Sequence, residues 1–265
     1  MINPLKLFKL GVICTLISPC FAHTTNVDEC IALKAPLELC KDAYNGDENA
    51  QSNLAYIFEI GQGVDVNISE AVYWYEKAAQ KGDVVSQTNL GALYLSGHKD
   101  LKKDYLKAIQ YLVLAAEQGN DIAQSNLAYM YETGRGVNRD YNKAIALYLE
   151  SAKQGNIGSQ LNLAYLYEKG YTGKIELEEA ANWYLKAAKQ GSSSAQNNLG
   201  LMYVYGNGVK KDPIEAYAWF YVSSQCNTYS KRDMNAVYKR FKKPSEKVVA
   251  ETLGKQYYKD YGCKL

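Results

Sequence analysis

The chain has 265 residues, with 30 lysine and arginine residues against 28 aspartate and glutamate residues, six cysteines and two histidines. Its formal net charge of +2 gives no global field that would draw the chain to nucleic acid. We therefore predict no nucleic-acid partner.

The first 22 residues have the pattern of a secretory signal peptide. Lys6 and Lys9 precede a mostly apolar run from Leu10 to Ile17, and Cys20-Phe21-Ala22 offers a small-residue cleavage site. The apolar run is too short to span a bilayer. We predict cleavage after Ala22, a periplasmic or secreted mature chain, and no integral membrane segment in it. The alternatives are a buried N-terminal helix and lipid attachment at Cys20.

A short motif then recurs through most of the chain. The stretch AQSNLAY occurs at residues 50–56 and again at residues 123–129, and looser copies contain Asn89, Asn162 and Asn198. The successive asparagines of the five copies are 36, 37, 36 and 36 residues apart. A fixed period of this size is typical of a solenoid, in which each unit packs on its neighbours.

Each copy is predicted to form two helices joined by a glycine turn. In the third copy the first helix runs from Ile122 to Glu132, and the turn Gly134-Arg135-Gly136-Val137 ends it. Asp140 is a candidate cap for a second helix from Tyr141 to Gln154. Helices of this length are marginal alone, so stacking has to stabilise the unit.

The second helices share a large residue followed, four to five positions later, by a pair of small ones. Large side chains against small ones let helices approach closely, which makes this stripe core and not a cofactor site. We therefore predict no cofactor. The large positions are Trp74, Tyr111, Leu147, Trp183 and Trp219, and the small pairs are Ala78-Ala79, Ala115-Ala116, Ser151-Ala152, Ala187-Ala188 and Ser223-Ser224.

The consensus AxxNLGxxYxxGxGVxxDxxKAxxWYxKAAxxG resembles the Sel-1-like repeat family, a relative of the tetratricopeptide repeats. Five copies match it, and two depart from it in the turn, with Gly97-His98-Lys99 in the second copy and Gly170-Tyr171-Thr172-Gly173 in the fourth. The resemblance implies an all-α fold, a right-handed α-solenoid of helix-turn-helix repeats with capping helices. The five copies span residues 47–82, 83–119, 120–155, 156–191 and 192–227.

The segments on either side of the repeats are predicted to be caps. Residues 23–46 are expected to hold one N-terminal capping helix, from Asp28 to Asn45. Residues 228–265 are expected to hold two C-terminal capping helices, Ser230 to Phe241 and Ser245 to Tyr261, separated at Pro244.

Four cysteines remain after removal of the signal peptide, namely Cys30, Cys40, Cys226 and Cys263. An even number in an exported chain favours disulfides, and three pairings are possible. We favour Cys30–Cys40 and Cys226–Cys263, because each pair flanks an end of the array, where a terminal unit lacks a neighbour. The spacing does not resemble a metal motif such as CxxC, so we predict no metal site.

The candidate binding positions lie on the first helices. By resemblance to tetratricopeptide proteins, these helices line the concave side, where a protein or peptide partner would bind. The amide of each asparagine suits two roles: satisfying polar groups of the adjacent repeat, or holding the backbone of an extended peptide beside the tyrosines. The candidate residues are Asn53, Tyr56, Asn89, Asn126, Tyr129, Asn162, Tyr165 and Asn198.

Little in the sequence points to an enzyme. His23 and His98 share no plausible site, and the string from Ser96 to Lys99 places a glycine where serine–lysine acylation needs a rigid helix. We predict a non-enzymatic scaffold that mediates protein–protein or protein–peptide interaction in the cell envelope or at a host interface. The alternatives are a binder or hydrolase of peptidoglycan or β-lactams, and a structural scaffold whose binding face is blocked by its own C-terminal tail.

Overall fold

The computed structural model describes residues 26–171 and 173–262. Over these residues the chain is all-α, with fourteen helices and no β-strand, which confirms the predicted fold class. The helices are α1 (Val27–Ala32), α2 (Leu37–Tyr44), α3 (Glu48–Ile60), α4 (Ile68–Ala79), α5 (Val84–Ser96), α6 (Tyr105–Glu117), α7 (Asp121–Thr133), α8 (Tyr141–Lys153), α9 (Ile157–Lys169), α10 (Leu177–Lys189), α11 (Ser193–Tyr205), α12 (Pro213–Ser224), α13 (Thr228–Tyr238) and α14 (Pro244–Tyr261).

The chain forms two compact units, Met1–Trp74 and Tyr75–Leu265, with the boundary inside α4. The predicted signal peptide, residues 1–22, lies outside the described residues. So does Cys263, and the Cys226–Cys263 pairing therefore stays a prediction. Within the described residues no helix is both long enough and apolar enough to cross a membrane.

In the first unit, two short helices occupy the segment for which we expected a single capping helix. The chain leaves α1 through Lys34, whose φ of 68° is left-handed, and Pro36 directly precedes α2. A proline disfavours the helical conformation of the residue before it, so one continuous helix cannot form here. The predicted Cys30–Cys40 disulfide is present and links α1 to α2. Both cysteines are fully buried, so the bridge forms the centre of this small cap.

Polar caps define where the first helix of each copy begins. Each capping side chain accepts a hydrogen bond from the backbone N–H three residues later, which satisfies one of the unpaired donors at the helix start. In the third copy, Asn120 accepts from the N–H of Ala123 at 2.9 Å. The capping residues of the five copies are Asp47, Asp83, Asn120, Asn156 and Ser192.

The turn of the second copy differs from the others, as its sequence predicts. Gly134, at the end of α7, is left-handed with φ 72° and ψ 29°, the usual helix-ending geometry. Gly97, at the end of α5, instead has φ 70° and ψ 170°, and His98 and Leu101 then pair as an isolated antiparallel bridge. The extra residue of this copy is therefore accommodated in the turn, and α5 has the same length as the other first helices.

The core of the second unit includes a position that the sequence patterns did not single out. The large residues predicted as core are only half-buried at Tyr111 and Leu147. The residue that follows each large position is instead almost completely buried in every copy of this unit. These residues are Tyr75, Leu112, Tyr148, Tyr184 and Phe220.

Glycines in the first helices allow the two helices of a copy to approach closely. A Cβ atom at Gly200 would stand 2.7 Å from the ring of Phe220, and one at Gly91 would stand 2.5 Å from Leu112. Both neighbours are fully buried side chains that have little room to move. Gly91 and Gly200 are thus required by their neighbours Leu112 and Phe220, whereas the equivalent residues of the third and fourth copies are Ala128 and Ala164.

The C-terminal helices cover the last repeat. Helix α12 packs against both α13 and α14, and the indole of Trp219 lies 4.7 Å from the ring of Tyr257 and 5.8 Å from that of Tyr261, centroid to centroid. The side-chain amide of Gln196 on α11 also donates to the backbone carbonyl of Tyr261 at 2.8 Å. The predicted two-helix cap is therefore observed, with its aromatic residues against Trp219.

Two alanine substitutions test this packing. Gly200→Ala is expected to lower the free energy of unfolding by about 1–2 kcal/mol, because the strain of overpacking against Phe220 exceeds the gain in helix propensity. Gly158→Ala on α9 is the matched control, since Gly158 is exposed and its Cβ would meet only the Asn156 side chain at 3.4 Å. It is expected to leave stability unchanged or raise it by up to about 1 kcal/mol.

Thermal melting followed by circular dichroism measures both variants. A shift of a few degrees is expected for each kcal/mol in a chain of this size. A Gly200→Ala protein as stable as Gly158→Ala would show that the two helices separate easily, contrary to the packing described.

Candidate partner-binding face

The predicted binding residues differ in exposure along the chain. In the first unit Asn53 is exposed and Tyr56 is 48% exposed. In the second unit the asparagines Asn89, Asn126, Asn162 and Asn198 are all half-buried on the first helices. Half-burial makes hydrogen-bond partners important, because a polar group removed from water has to be satisfied.

Three of these asparagines hydrogen-bond to a buried tyrosine of the preceding second helix. The Asn162 amide donates to the Tyr148 hydroxyl at 3.1 Å, and the Asn89 amide donates to the Tyr75 hydroxyl at 2.9 Å. Asn198 makes the same kind of bond with Tyr184. This is the stacking role, one of the two roles considered for the asparagine from sequence.

Two of these tyrosines extend the network to a carboxylate. The Tyr148 hydroxyl donates to Glu132 at 2.8 Å, and the Tyr184 hydroxyl donates to Glu168 at 3.0 Å. An asparagine, a tyrosine and a glutamate therefore form a relay that joins successive copies. Burial, followed by the Glu132 charge, raises the pKa of Tyr148 well above the ordinary value of 10.

The relay is interrupted at Asn126. The residue fourteen positions before each of the other three asparagines is a tyrosine, whereas the residue at that distance before Asn126 is Leu112. A leucine cannot accept a hydrogen bond. Among the residues that the structure describes, the Asn126 amide has no hydrogen-bond partner. Its donors and acceptor are therefore available to a ligand.

Aromatic and cationic side chains accompany this asparagine on the third and fourth copies. The guanidinium of Arg135 lies 4.8 Å from the centroid of the Tyr129 ring, and the ammonium of Lys169 lies 5.6 Å from that of Tyr165. Tyr165 is 41% exposed and Tyr171 is 40% exposed. We name the set the aromatic face, and it consists of Asn126, Tyr129, Arg135, Tyr165, Lys169 and Tyr171.

A glutamine network, which the sequence analysis missed, also joins the copies. The Gln124 amide donates to the Ala116 carbonyl of the previous copy, while its carbonyl oxygen accepts from Gln154 at 2.9 Å. The same arrangement recurs with Gln160 and Gln190. Glutamine recurs in sequence at the copy period, in the stretches AQ and SQ and again just after the second helices. That periodicity is the sequence signal from which the glutamine network could have been predicted.

The string from Ser96 to Lys99 has a local structural role. The Ser96 hydroxyl donates to the backbone carbonyl of Ala92 at 2.9 Å at the end of α5. The Lys99 ammonium lies in the following turn, 3.9 Å from the carboxylate of Asp100. Within the described residues, no group of three or more histidine, cysteine or acidic side chains is arranged to hold a metal ion.

Alkaline unfolding tests the relay. The pKa of Tyr148 is raised in the folded state, so above about pH 10 the unfolded chain loses this proton while the folded chain retains it. Stability is therefore expected to fall as the pH rises above 10. Replacing Tyr148 by phenylalanine should reduce that fall by up to about 1.4 kcal/mol per pH unit. The same variant should lose about 1–3 kcal/mol near neutral pH, because Glu132 and Asn162 lose their partner.

Urea unfolding at several pH values between 8 and 11 measures this slope. Tyr229→Phe is the matched control, since Tyr229 is 84% exposed, and its slope should equal that of the original chain. Equal slopes for the original chain and Tyr148→Phe would contradict a buried, carboxylate-bound hydroxyl at this position.

Comparison with known proteins agrees with the repeat architecture. The model of the Sel1 repeat matches residues 49–83, 84–120, 121–156, 157–192 and 193–227, within two residues of the boundaries predicted from sequence. A Sel1 repeat protein from Oxalobacter formigenes is 27% identical with a TM-score of 0.70, and the alignment covers 88% of this chain and 99% of that one.

Two further relatives are longer than this chain. The protective antigen c5321 of uropathogenic Escherichia coli is 29% identical with a TM-score of 0.54, and the alignment covers 88% of this chain and 57% of that one. A putative sel1-like repeat-containing protein of Acanthamoeba polyphaga mimivirus is 35% identical over 71 residues, which are 27% of this chain and 12% of the relative. Proteins built from these repeats generally mediate protein interactions. The five matched repeats cover most of the chain, which belongs to the Sel1 repeat family.

Proposed function

We propose that this protein is an exported scaffold that binds a protein or peptide partner through the aromatic face. The observation that carries the proposal is the free amide of Asn126. Equivalent asparagines in the neighbouring copies are engaged by a buried tyrosine, whereas Leu112 leaves this one without a partner among the described residues.

An amide in this position suits the backbone of an extended peptide. It presents two donors and an acceptor, which match the carbonyl and N–H groups of a chain laid across the helices. Tyr129 and Tyr165 stand at equivalent positions of successive copies and add large contact surfaces that lose little conformational entropy on binding. Arg135 already lies against the Tyr129 ring, so an acidic side chain of the partner would meet a preformed cation there. The ammonium of Lys169, beside Tyr165, is paired with the Glu168 carboxylate at 2.8 Å.

Paired baits test the binding face. The original chain and the variant Asn126→Ala/Tyr129→Ala/Tyr165→Ala are used to capture partners from periplasmic and secreted extracts, and the affinity of a captured protein is then measured by titration. The variant should bind at least about tenfold more weakly, because buried tyrosines at interfaces are each worth about 1–2 kcal/mol or more.

The matched control for this experiment is Tyr229→Ala/Tyr258→Ala. It removes two exposed tyrosines from the C-terminal helices, where Tyr229 is 84% and Tyr258 is 46% exposed, and it should leave the affinity unchanged. Circular dichroism establishes that all proteins are folded. Equal affinity of the folded triple variant and the original chain would contradict binding at the aromatic face.

The proposal that the protein is exported rests on separate observations. The chain begins with a predicted signal peptide, and the Cys30–Cys40 disulfide is of the kind that persists in oxidising compartments. The similarity to a protective antigen of a uropathogen supports a place in the cell envelope or at the interface with a host. Roles that fit this location are envelope assembly, regulation of cell-wall enzymes and contact with host molecules.

Expression of the full chain in a bacterium, followed by fractionation and mass spectrometry, tests export. We expect a periplasmic or secreted product that starts at His23 and in which Cys30 and Cys40 resist alkylation until a reductant is added. The comparison protein is a chain with Leu10→Arg and Ile13→Arg in the apolar run, which should stay in the cytoplasm unprocessed. A cytoplasmic original chain that keeps residues 1–22 would contradict export.

A further inference from the structure

The junction between two repeats is filled by the turn of the following copy. A Cβ atom at Gly136, in the turn of the third copy, would stand 2.7 Å from Tyr105 at the start of α6. Tyr171, in the turn of the fourth copy, stacks on Tyr141 at the start of α8 with 4.3 Å between ring centroids. Gly208, in the turn of the fifth copy, lies directly against the Leu177 backbone at the start of α10. The first turn of each of these second helices is therefore covered.

The start of α12 has no such cover, because no sixth copy follows. The residue equivalent to Tyr105, Tyr141 and Leu177 is Pro213, and α13 and α14 pack on α12 in place of a further turn. A cavity of about 440 Å³ remains at this point. This volume lies within the usual range of about 300–1,000 Å³ for small-molecule sites.

The cavity combines an apolar floor with a cationic rim. Ile214 of α12, Val237 near the end of α13 and Phe241 just after that helix provide the apolar part. Val237 and Phe241 are themselves buried. The cationic part is the exposed set Lys211, Arg240, Lys242 and Lys243.

The two acidic residues of the lining offset only part of this charge, since four cations face two carboxylates. The Asp212 carboxylate caps α12 by accepting from the N–H groups of Ile214 and Glu215 at 2.9 and 3.2 Å. The Glu246 carboxylate accepts from the Lys243 N–H at 3.2 Å and caps α14. Among the described residues, none of the four rim cations forms an ion pair. The rim therefore has uncompensated positive charge above an apolar surface.

We propose that this cavity binds a carboxylate attached to a short apolar group. The apolar group would occupy the space between Ile214 and Phe241, where its burial is favourable, and the carboxylate would meet Arg240, Lys242 and Lys243 at the rim. Two sources share this chemistry: a small free acid, and the C-terminal carboxylate of a peptide that ends in an apolar residue. The site is separate from the aromatic face and does not depend on the function proposed for that face.

Titration calorimetry of the full chain with two pairs of probes tests the proposal. The first pair is octanoate and octan-1-ol, and the second is a tripeptide that ends in phenylalanine, with either a free or an amidated C-terminus. We expect at least one of the two anionic probes to bind, with affinity that falls as salt is raised, and its neutral counterpart to bind about tenfold more weakly. The pair that responds identifies the source of the carboxylate.

Charge variants locate the binding. Arg240→Gln/Lys242→Gln/Lys243→Gln should lower the affinity for the anionic probe roughly tenfold, since each exposed ion pair contributes modestly to binding. The matched control Lys231→Gln/Lys239→Gln/Lys255→Gln removes three exposed charges from the same C-terminal region, outside the residues that line the cavity, and should leave binding unchanged. Val204→Phe, which places a ring into the cavity, should also weaken binding.

Three results would overturn the proposal: binding of neither anionic probe, equal binding of each anionic probe and its neutral counterpart, or equal loss in the rim variant and its control. Failure of this experiment leaves the aromatic face untouched, because none of its residues is altered. Conversely, the variant Asn126→Ala/Tyr129→Ala/Tyr165→Ala should keep its affinity for octanoate even where it loses its protein partner, because none of these residues lines the cavity.

Discussion

Close packing of small first-helix residues on large buried second-helix residues is the constraint on which the second unit depends. Gly200 against Phe220 and Gly91 against Leu112 leave no room for even one added carbon atom. Helices of thirteen residues are too short to be stable alone, so packing of a glycine or alanine on a large buried residue maintains the array. In the third and fourth copies the small residues are the buried Ala128 and Ala164. Because the contact needs small and large residues at matched positions, it also explains why the sequence repeats with so constant a period.

Packing at this density removes polar groups from water, and the structure satisfies them with two networks. The paired glutamines hydrogen-bond to backbone carbonyls at the ends of the second helices. The asparagine–tyrosine–glutamate relay satisfies the polar side chains buried between copies. Both networks are periodic, as the packing is. A departure from the period therefore changes the network locally: Leu112 preserves the core contact but removes the hydroxyl, which leaves the Asn126 amide without a partner among the described residues.

The ends of the array have to be completed by other means. At the N-terminus the buried Cys30–Cys40 disulfide joins two helices that are each too short to pack well. At the C-terminus α14 covers Trp219 with Tyr257 and Tyr261, and the Tyr257 hydroxyl also donates to Glu215 in the first turn of α12. Beside Pro213 and Ile214, however, these C-terminal helices do not fill the space completely. The cavity near Pro213 follows from this incomplete packing. In the preceding copies the equivalent place is filled by the turn of the next repeat.

The helical class, the five copies, their turns and the two C-terminal helices could be predicted from the sequence, because they depend on local signals such as capping residues, glycines and a fixed period. The sequence also indicated that the asparagine amide could serve stacking. That Asn126 lacks the tyrosine partner of its neighbours could be seen only in the folded chain, since Leu112 and Asn126 are fourteen residues apart and meet through helix packing. The break at Pro36 and the periodic glutamines, by contrast, have signals in the sequence, namely a proline and a fixed spacing. The cavity beside α12 has no such signal, nor does the missing partner of Asn126. These features depend on distances between separate helices, which no pattern along the chain specifies.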